Sequence, residues 1–220
     1  LKAIGVLNKH GRESFFGRVI VPIFDAQGNV CGLYGRRLEP PCSTFDAARS
    51  TPNHMYLRGA HRGVWNGACA KTSKTLFITE AILDGLALWQ ADFKNVIAIY
   101  GTEGWTPDHE ALIRENGTTE VFLCLDNDEA GRAATERLRG KLSKIVKVVH
   151  VIAWPEGVKD AAEFFLSRGA EEFRTLLPKD LNREDTKTTD AEEIQMTPDG
   201  FVAVYGVRRY ELRAIEKPTA

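Results

Sequence analysis

Between residues 75 and 152 the sequence keeps switching its hydrophobic period, and this alternation constrains the fold more than any other feature. Apolar, strand-like runs at 75–79, 96–99, 120–125 and 147–152 are separated by segments with helical spacing at 81–91, 107–116 and 130–142. Strands that alternate with helices pair in parallel, because each crossover returns the chain to the same end of the sheet. The expectation is an α/β fold, a mainly parallel sheet flanked by helices. Two short helices at 160–167 and 170–176 follow it.

Upstream, Arg18-Val-Ile-Val-Pro-Ile-Phe24, a turn at Asp25-Ala-Gln-Gly28 and Asn29-Val-Cys-Gly-Leu-Tyr-Gly35 read as a β-hairpin, with Arg36 and Arg37 directly after it. Residues 39–52 are rich in Pro, Ser and Thr and read as a loop leading to a short segment at 54–57. The chain opens on Leu1 rather than Met, in a segment (1–9) that resembles the end of a helix, so sequence upstream of it is expected. At the other end, 179–193 is polar without an apolar face, and 200–215 alternates again with a turn near Gly206. The expected division is a small β-rich subdomain carrying the basic hairpin (1–73), the α/β domain (74–178), a polar linker (179–199) and the start of a C-terminal β element (200–220).

Composition narrows the function. The hydrophobic fraction of 43% and charged fraction of 27% are those of a folded, water-soluble chain. A formal net charge of -1 means that nucleic acid would have to be bound through a local basic patch or bridging metal ions. The longest apolar stretches, 19–24 and 146–153, are too short to span a bilayer, and no signal-peptide layout opens the chain. A cytoplasmic protein with no membrane partner is expected. Cys31, Cys42, Cys69 and Cys124 form no C-x-x-C pair, so no zinc site is expected within this chain and all are expected as free thiols.

In a parallel sheet, functional groups gather where strands end and helices begin. Glu80 ends the strand at 75–79, and Asp84 stands one helical turn later on the same side. The strand at 120–125 ends in Asp126-Asn-Asp128, where alternate residues project together. Like charges gathered this way repel one another unless a cation intervenes, and hard divalent ions prefer such oxygen donors. Glu129 is expected only to favour the helix N-terminus. Of the four tryptophans that could stack on bases, Trp65, Trp89, Trp105 and Trp154, Trp89 on an apolar helix face and Trp154 after a strand are expected to pack instead, and His109 and His150 show no partner pattern.

The runs Leu76-Phe-Ile-Thr-Glu80-Ala-Ile-Leu-Asp84, Tyr100-Gly101-Thr102 and Cys124-Leu-Asp126-Asn-Asp128-Glu-Ala-Gly131-Arg132 resemble the Toprim signature of topoisomerases and primases. The D-x-D-x-A-G-R form is similar to that of primases. Gly17-Arg18-Val-Ile-Val-Pro22 and Gly32-Leu-Tyr-Gly35-Arg36 resemble the part of the DnaG-type catalytic core that precedes its Toprim domain, so 12–177 resembles that core in order and spacing. The gap between these two blocks is shorter than in replicative primases and resembles primase-like proteins of phages, plasmids and other mobile elements. Those often carry an N-terminal zinc finger of the CHC2 type, which this chain lacks.

The resemblance implies RNA primer synthesis on single-stranded DNA from ribonucleoside triphosphates, with a replicative helicase as candidate partner. It implies Mg²⁺ or Mn²⁺ held by Glu80, Asp84, Asp126, Asp128 and Asp160, with Glu80, Asp126 and Asp128 catalytic. The family's second acid after the fourth strand falls on Ala162, with Glu163 next to it, which leaves the number of metals open. Arg18 and Arg36 match residues that face template and nucleotide, and Arg132 is a further candidate for phosphate contact. Where the family has a lysine in P-K-Y-L this chain has Met55, so Arg58, His61 and Arg62 are the candidates to carry template affinity. A Toprim nuclease and a catalytically weak nucleic-acid-binding accessory module are the alternatives.

Overall fold

The computed structural model describes residues 1–38 and 52–178, and the backbone of 194–197, 200–205 and 208–213. The expected loop at 39–52, apart from Pro52, and also Cys42, most of the linker and the turn at Gly206 lie outside the described residues. The chain divides into two compact units, Leu1–Lys179 and Asp180–Ala220.

The first unit contains two sheets. Strands β1 (Arg18–Phe24), β2 (Val30–Arg37) and β3 (His54–Tyr56) form an antiparallel sheet in that order. The β1–β2 turn is shaped by Asp25, whose Oδ1 accepts the Asn29 N–H at 2.8 Å and the Gln27 N–H at 3.0 Å, while Gly28 takes the left-handed φ of 84°. The register sets Arg36 opposite His54 and Tyr34 opposite Tyr56.

The second sheet is built from β4 (Thr75–Thr79), β5 (Val96–Ala98), β6 (Glu120–Cys124) and β7 (Val148–Val151), all parallel, in the order β5-β4-β6-β7. Helices α1 (Ile82–Gln90), α2 (Pro107–Asn116) and α3 (Glu129–Leu142) make the crossovers, and α4 (Ala161–Ser167) and α5 (Gly169–Thr175) follow β7. Alternate residues of β4 and β6 serve two cores. Leu76, Ile78, Val121 and Leu123 pack with Ile97, Ile113 and Leu138 on one side. On the other, Phe77 meets Phe122 at 5.0 Å and Phe93 at 5.3 Å, and Phe173 closes this aromatic layer at 4.8 Å from Phe93.

Local chemistry explains the helix ends. Pro107 opens α2, where its missing N–H costs nothing, and Gly117 closes it at φ 62°. Residues 63–65 link the two sheets: Val64 N–H donates to Phe24 O at 3.3 Å, Trp65 bridges the Ala98 backbone and Tyr100 Oη donates to Gly63 O at 2.7 Å.

The structure departs from expectation in three places. Residues 1–9 form turns and a bridge from Leu7 to Glu13, because Gly5 and Gly11 sit at φ 81° and 78°, which a continuing helix does not accept. The expected linker 179–199 contains a strand, β8 (Ile194–Thr197). It pairs with β9 (Gly200–Tyr205), and β9 with β10 (Arg208–Arg213), so the described strands of the second unit form an antiparallel meander that begins before the expected 200–220 element. Third, both histidines that show no sequence partner are bonded: His109 to Ala98 O at 3.1 Å and His150 to Glu120 at 2.8 Å. Among the described residues no helix is long and apolar enough to cross a membrane, and Cys31, Cys69 and Cys124 are free thiols.

Candidate functional site

The acidic residues lie at the C-terminal edge of the parallel sheet. Glu80 follows β4 directly, held by a turn in which Thr79 Oγ1 donates to Ala81 O at 3.0 Å, while Gly101 N–H, from the loop after β5, donates to Glu80 O at 3.2 Å. Gly101 has φ 88° and open space where a Cβ would stand, so backbone reaches this edge unobstructed. Glu80 Oε2 is buried and has no hydrogen-bond partner among the described residues. Burial, then the charges of Asp126, Asp128 and Asp84, push the Glu80 carboxyl up to about 7.

Asp84 is the most deeply buried of the acids, on α1, and accepts the Ala162 N–H at 3.2 Å. Burial and the nearby Asp160 raise its carboxyl to about 7. The Asp126 side chain is 14% exposed and pairs with Lys159 Nζ at 3.0 Å; burial lifts its pKa while the lysine opposes the rise. Asp128 is more open and caps α3 by accepting the Gly131 N–H at 2.8 Å. Asp160 does the same for α4, accepting from Glu163 N–H at 2.8 Å, and the Glu163 carboxylate accepts the Lys159 N–H at 2.7 Å. Glu163 is thereby engaged in its own helix start.

The acids are gathered, yet most of their oxygens described above face protein donors. Among the described residues no three His, Cys, Asp or Glu side chains converge closely enough to form a ready metal cage. Gly131 packs against the centre: a Cβ there would stand 2.1 Å from the Asp126 carbonyl oxygen.

The arginines fall into two groups. Arg18 donates to the carbonyls of Pro52 at 2.6 Å and Asn53 at 3.1 Å, fastening β1 to the approach to β3. Arg36 donates to His54 Nε2 at 2.6 Å, which leaves the His54 proton on Nδ1, 2.9 Å from Tyr34 Oη. Burial, Arg36, Arg18 and Lys159 together hold His54 below its usual pKa, and Asp84 acts on Tyr34; the antiparallel sheet therefore lies within electrostatic reach of the acids. Arg132 donates to Asn127 O at 2.5 Å, beside the D-x-D turn. Arg58 and Arg62 line a small pocket with His61, Tyr56 and Tyr100, in which His61 stacks on Tyr100 at 4.5 Å. The tryptophans pack: Trp154 Nε1 donates to Leu125 O at 2.7 Å, Trp105 stacks on His109, and Lys94 lies over Trp89.

The family model for Toprim-like domains matches residues 77–165. The DNA primase of Clostridium acetobutylicum is 30% identical over 187 residues, covering 84% of this chain and 30% of that protein. This chain is a homologue of the DnaG-type DNA primases. The zinc-binding and RNA polymerase domains of the Aquifex aeolicus primase share 26% identity at a TM-score of 0.62, over 75% of this chain and 40% of that one. A DnaG primase catalytic domain solved with bound single-stranded DNA gives 26% and 0.62, over 79% of this chain and 57% of that one. The primase homologue thus spans about 30% of the length of the curated relative it matches.

Three residues near the site escape sequence reasoning: Lys159, and Tyr34 and His54, which hold the expected Arg36 in place. Lys159 is next to Asp160, which could have flagged it, but its pairing with Asp126 depends on how the loops after β6 and β7 meet.

The raised carboxyls carry a stability consequence. Glu80 and Asp84 hold protons in the folded state up to about pH 7 that the unfolded chain releases near its ordinary carboxylate values. A raised acid pKa makes folding weaker as protons leave, so the metal-free primase homologue should lose stability as pH rises from about 4 to about 7 and level off above. Thermal unfolding across that range checks this, and added Mg²⁺ should flatten the slope.

Proposed function

We propose that this chain holds the catalytic centre of a primase, joining ribonucleotides into short RNA primers on single-stranded DNA in the presence of Mg²⁺ or Mn²⁺. One observation supports this most: two interior strands carry Glu80 and the Asp126–Asp128 pair to one edge, where Glu80 Oε2 is buried with no partner among the described residues and the neighbouring aspartates add to the burial that raises the Glu80 pKa. A group of oxygen donors left electrostatically unsatisfied fits a hard divalent cation. Glu80, Asp126 and Asp128 would hold it, with Asp84 and Asp160 flanking. When bound, the metal supplies positive charge for a nucleoside triphosphate and for the phosphoryl group in transfer.

The chain's own residues do the rest by position and charge. Arg36, steadied through His54 and Tyr34, presents a guanidinium near the acids, where it suits phosphate oxygens. Arg18 braces the same sheet. Arg58 and Arg62, beside the stacked His61–Tyr100 pair, offer a cationic and aromatic surface suited to a single strand. Arg132 faces the D-x-D turn from the helix side. No side chain is needed as general base, because placement of the reacting groups carries most of the catalysis in phosphoryl transfer. Ribonucleoside triphosphates are the second substrate, a replicative helicase is the candidate partner, and a mobile-element origin fits the compact layout.

The test is metal-dependent incorporation of labelled ribonucleotides on a single-stranded DNA template by the intact protein. Oligoribonucleotides that require both template and Mg²⁺ or Mn²⁺ are the expected product. Cleavage of nucleic acid without triphosphates, and no synthesis, would replace the reading with a Toprim nuclease; neither activity and no metal binding would leave an accessory module.

A further inference from the structure

We infer that Lys159 is a tethered counter-cation of the acidic centre, whose ammonium holds the oxygens a divalent ion would use and is displaced when that ion binds. The inference rests on the proposed metal-dependent function and deepens it, because it makes this lysine a positioning residue that sets how tightly the metal is held.

Its geometry carries the argument. Lys159 Nζ stands 3.0 Å from Asp126 Oδ2 and 4.0 Å from Asp128 Oδ2. Among the described residues these are the sole ion pairs made by any acid of the centre. The side chain is 57% exposed, but the backbone beneath it is clamped from both directions. Lys159 O accepts the Asn127 N–H at 2.6 Å, Lys159 N–H donates to Glu163 Oε2 at 2.7 Å, and Asn127 Nδ2 donates to Val158 O at 3.2 Å. The residue between the two aspartates is thus stitched to the segment that carries the lysine. Acids and ammonium ride on one braced unit, and the flexible side chain alone has to move.

Two cations cannot share the same carboxylate oxygens at contact distance, so ammonium and metal compete. The lysine lowers the cost of gathering the acids while no metal is present, and it weakens the metal by the same coupling. Once displaced, its charge remains within side-chain reach of the edge, where a triphosphate would lie.

Calorimetric Mg²⁺ titration of the intact wild-type protein, K159M and K159R tests this, with thermal unfolding in chelator as a second readout. Removing a unit charge next to a divalent ion should tighten Mg²⁺ binding by about tenfold in K159M, while its metal-free melting temperature falls. K159R keeps the charge and should stay near wild type. A merely structural lysine would give the opposite sign, since loosening the loops would weaken the metal. K159Q replaces K159M should the latter not fold. Mg²⁺ affinity that is unchanged or weaker without the charge overturns the inference alone; absence of Mg²⁺ binding in every protein, wild type included, overturns the proposed function with it.

Discussion

Asp126→Ala should lower metal-dependent primer synthesis by on the order of a thousandfold while leaving the metal-free protein about as stable as before. Asp126 bears on three other members of the centre. Its charge raises Glu80 more than that of any other residue, it acts on Asp84, and it takes the closer contact with Lys159. Loss of its carboxylate removes a proposed metal donor and frees the ammonium. Stability moves little for a separate reason: burial already makes the ionised Asp126 unfavourable, and its removal relieves repulsion on Glu80. Single-turnover synthesis and thermal melting, measured side by side, check both halves. A variant that loses activity together with several degrees of melting temperature would mean that Asp126 is chiefly structural.

Gly131→Ala is the second large effect, and it acts through packing. The added Cβ would stand 2.1 Å from the Asp126 carbonyl oxygen and 2.9 Å from the Asp126 Cβ. The obstacle is backbone, so no rotamer change relieves it, and the start of α3 has to shift away from the end of β6. Overpacking of this kind costs typically about 1–3 kcal/mol. The shift also moves Asp128, whose carboxylate caps the Gly131 N–H itself. Urea unfolding should show the loss, and Mg²⁺ titration should show weaker binding. Gly140→Ala, in the same helix with nothing within 4 Å of its Cβ, is the control and should stabilise by roughly 0.5–1 kcal/mol.

The parallel sheet was legible because its signals are local. Strand β4 at Thr75–Thr79 and helix α2 at Pro107–Asn116 coincide with the sequence expectation residue for residue, since Pro107 and Gly117 mark the helix ends chemically and β-branched and aromatic residues fill the strand. The position of Glu80 and of the D-x-D pair at one edge follows from parallel pairing alone. What stayed hidden is non-local. No periodicity reveals that Asp84 is buried against the Ala162 N–H, 78 residues away. Nor does it reveal that Arg36 meets His54 across a strand pair, or that Lys159 turns to Asp126. Strand β8 was missed because Ile194–Thr197 is short and follows a long polar stretch, so composition averaged over the window outweighed it.

The strand order β5-β4-β6-β7 has a mechanical consequence. Glu80 ends β4 and Asp126 follows β6, and both of these strands are hydrogen-bonded on either side. Lys159 and Asp160 follow β7, an edge strand with one neighbour. The sheet interior cannot yield without breaking ladder bonds on two sides, and the β7 margin is tied to it through the Asn127 N–H to Lys159 O bond, so of the acids and their counter-charge the Lys159 side chain alone has room to move.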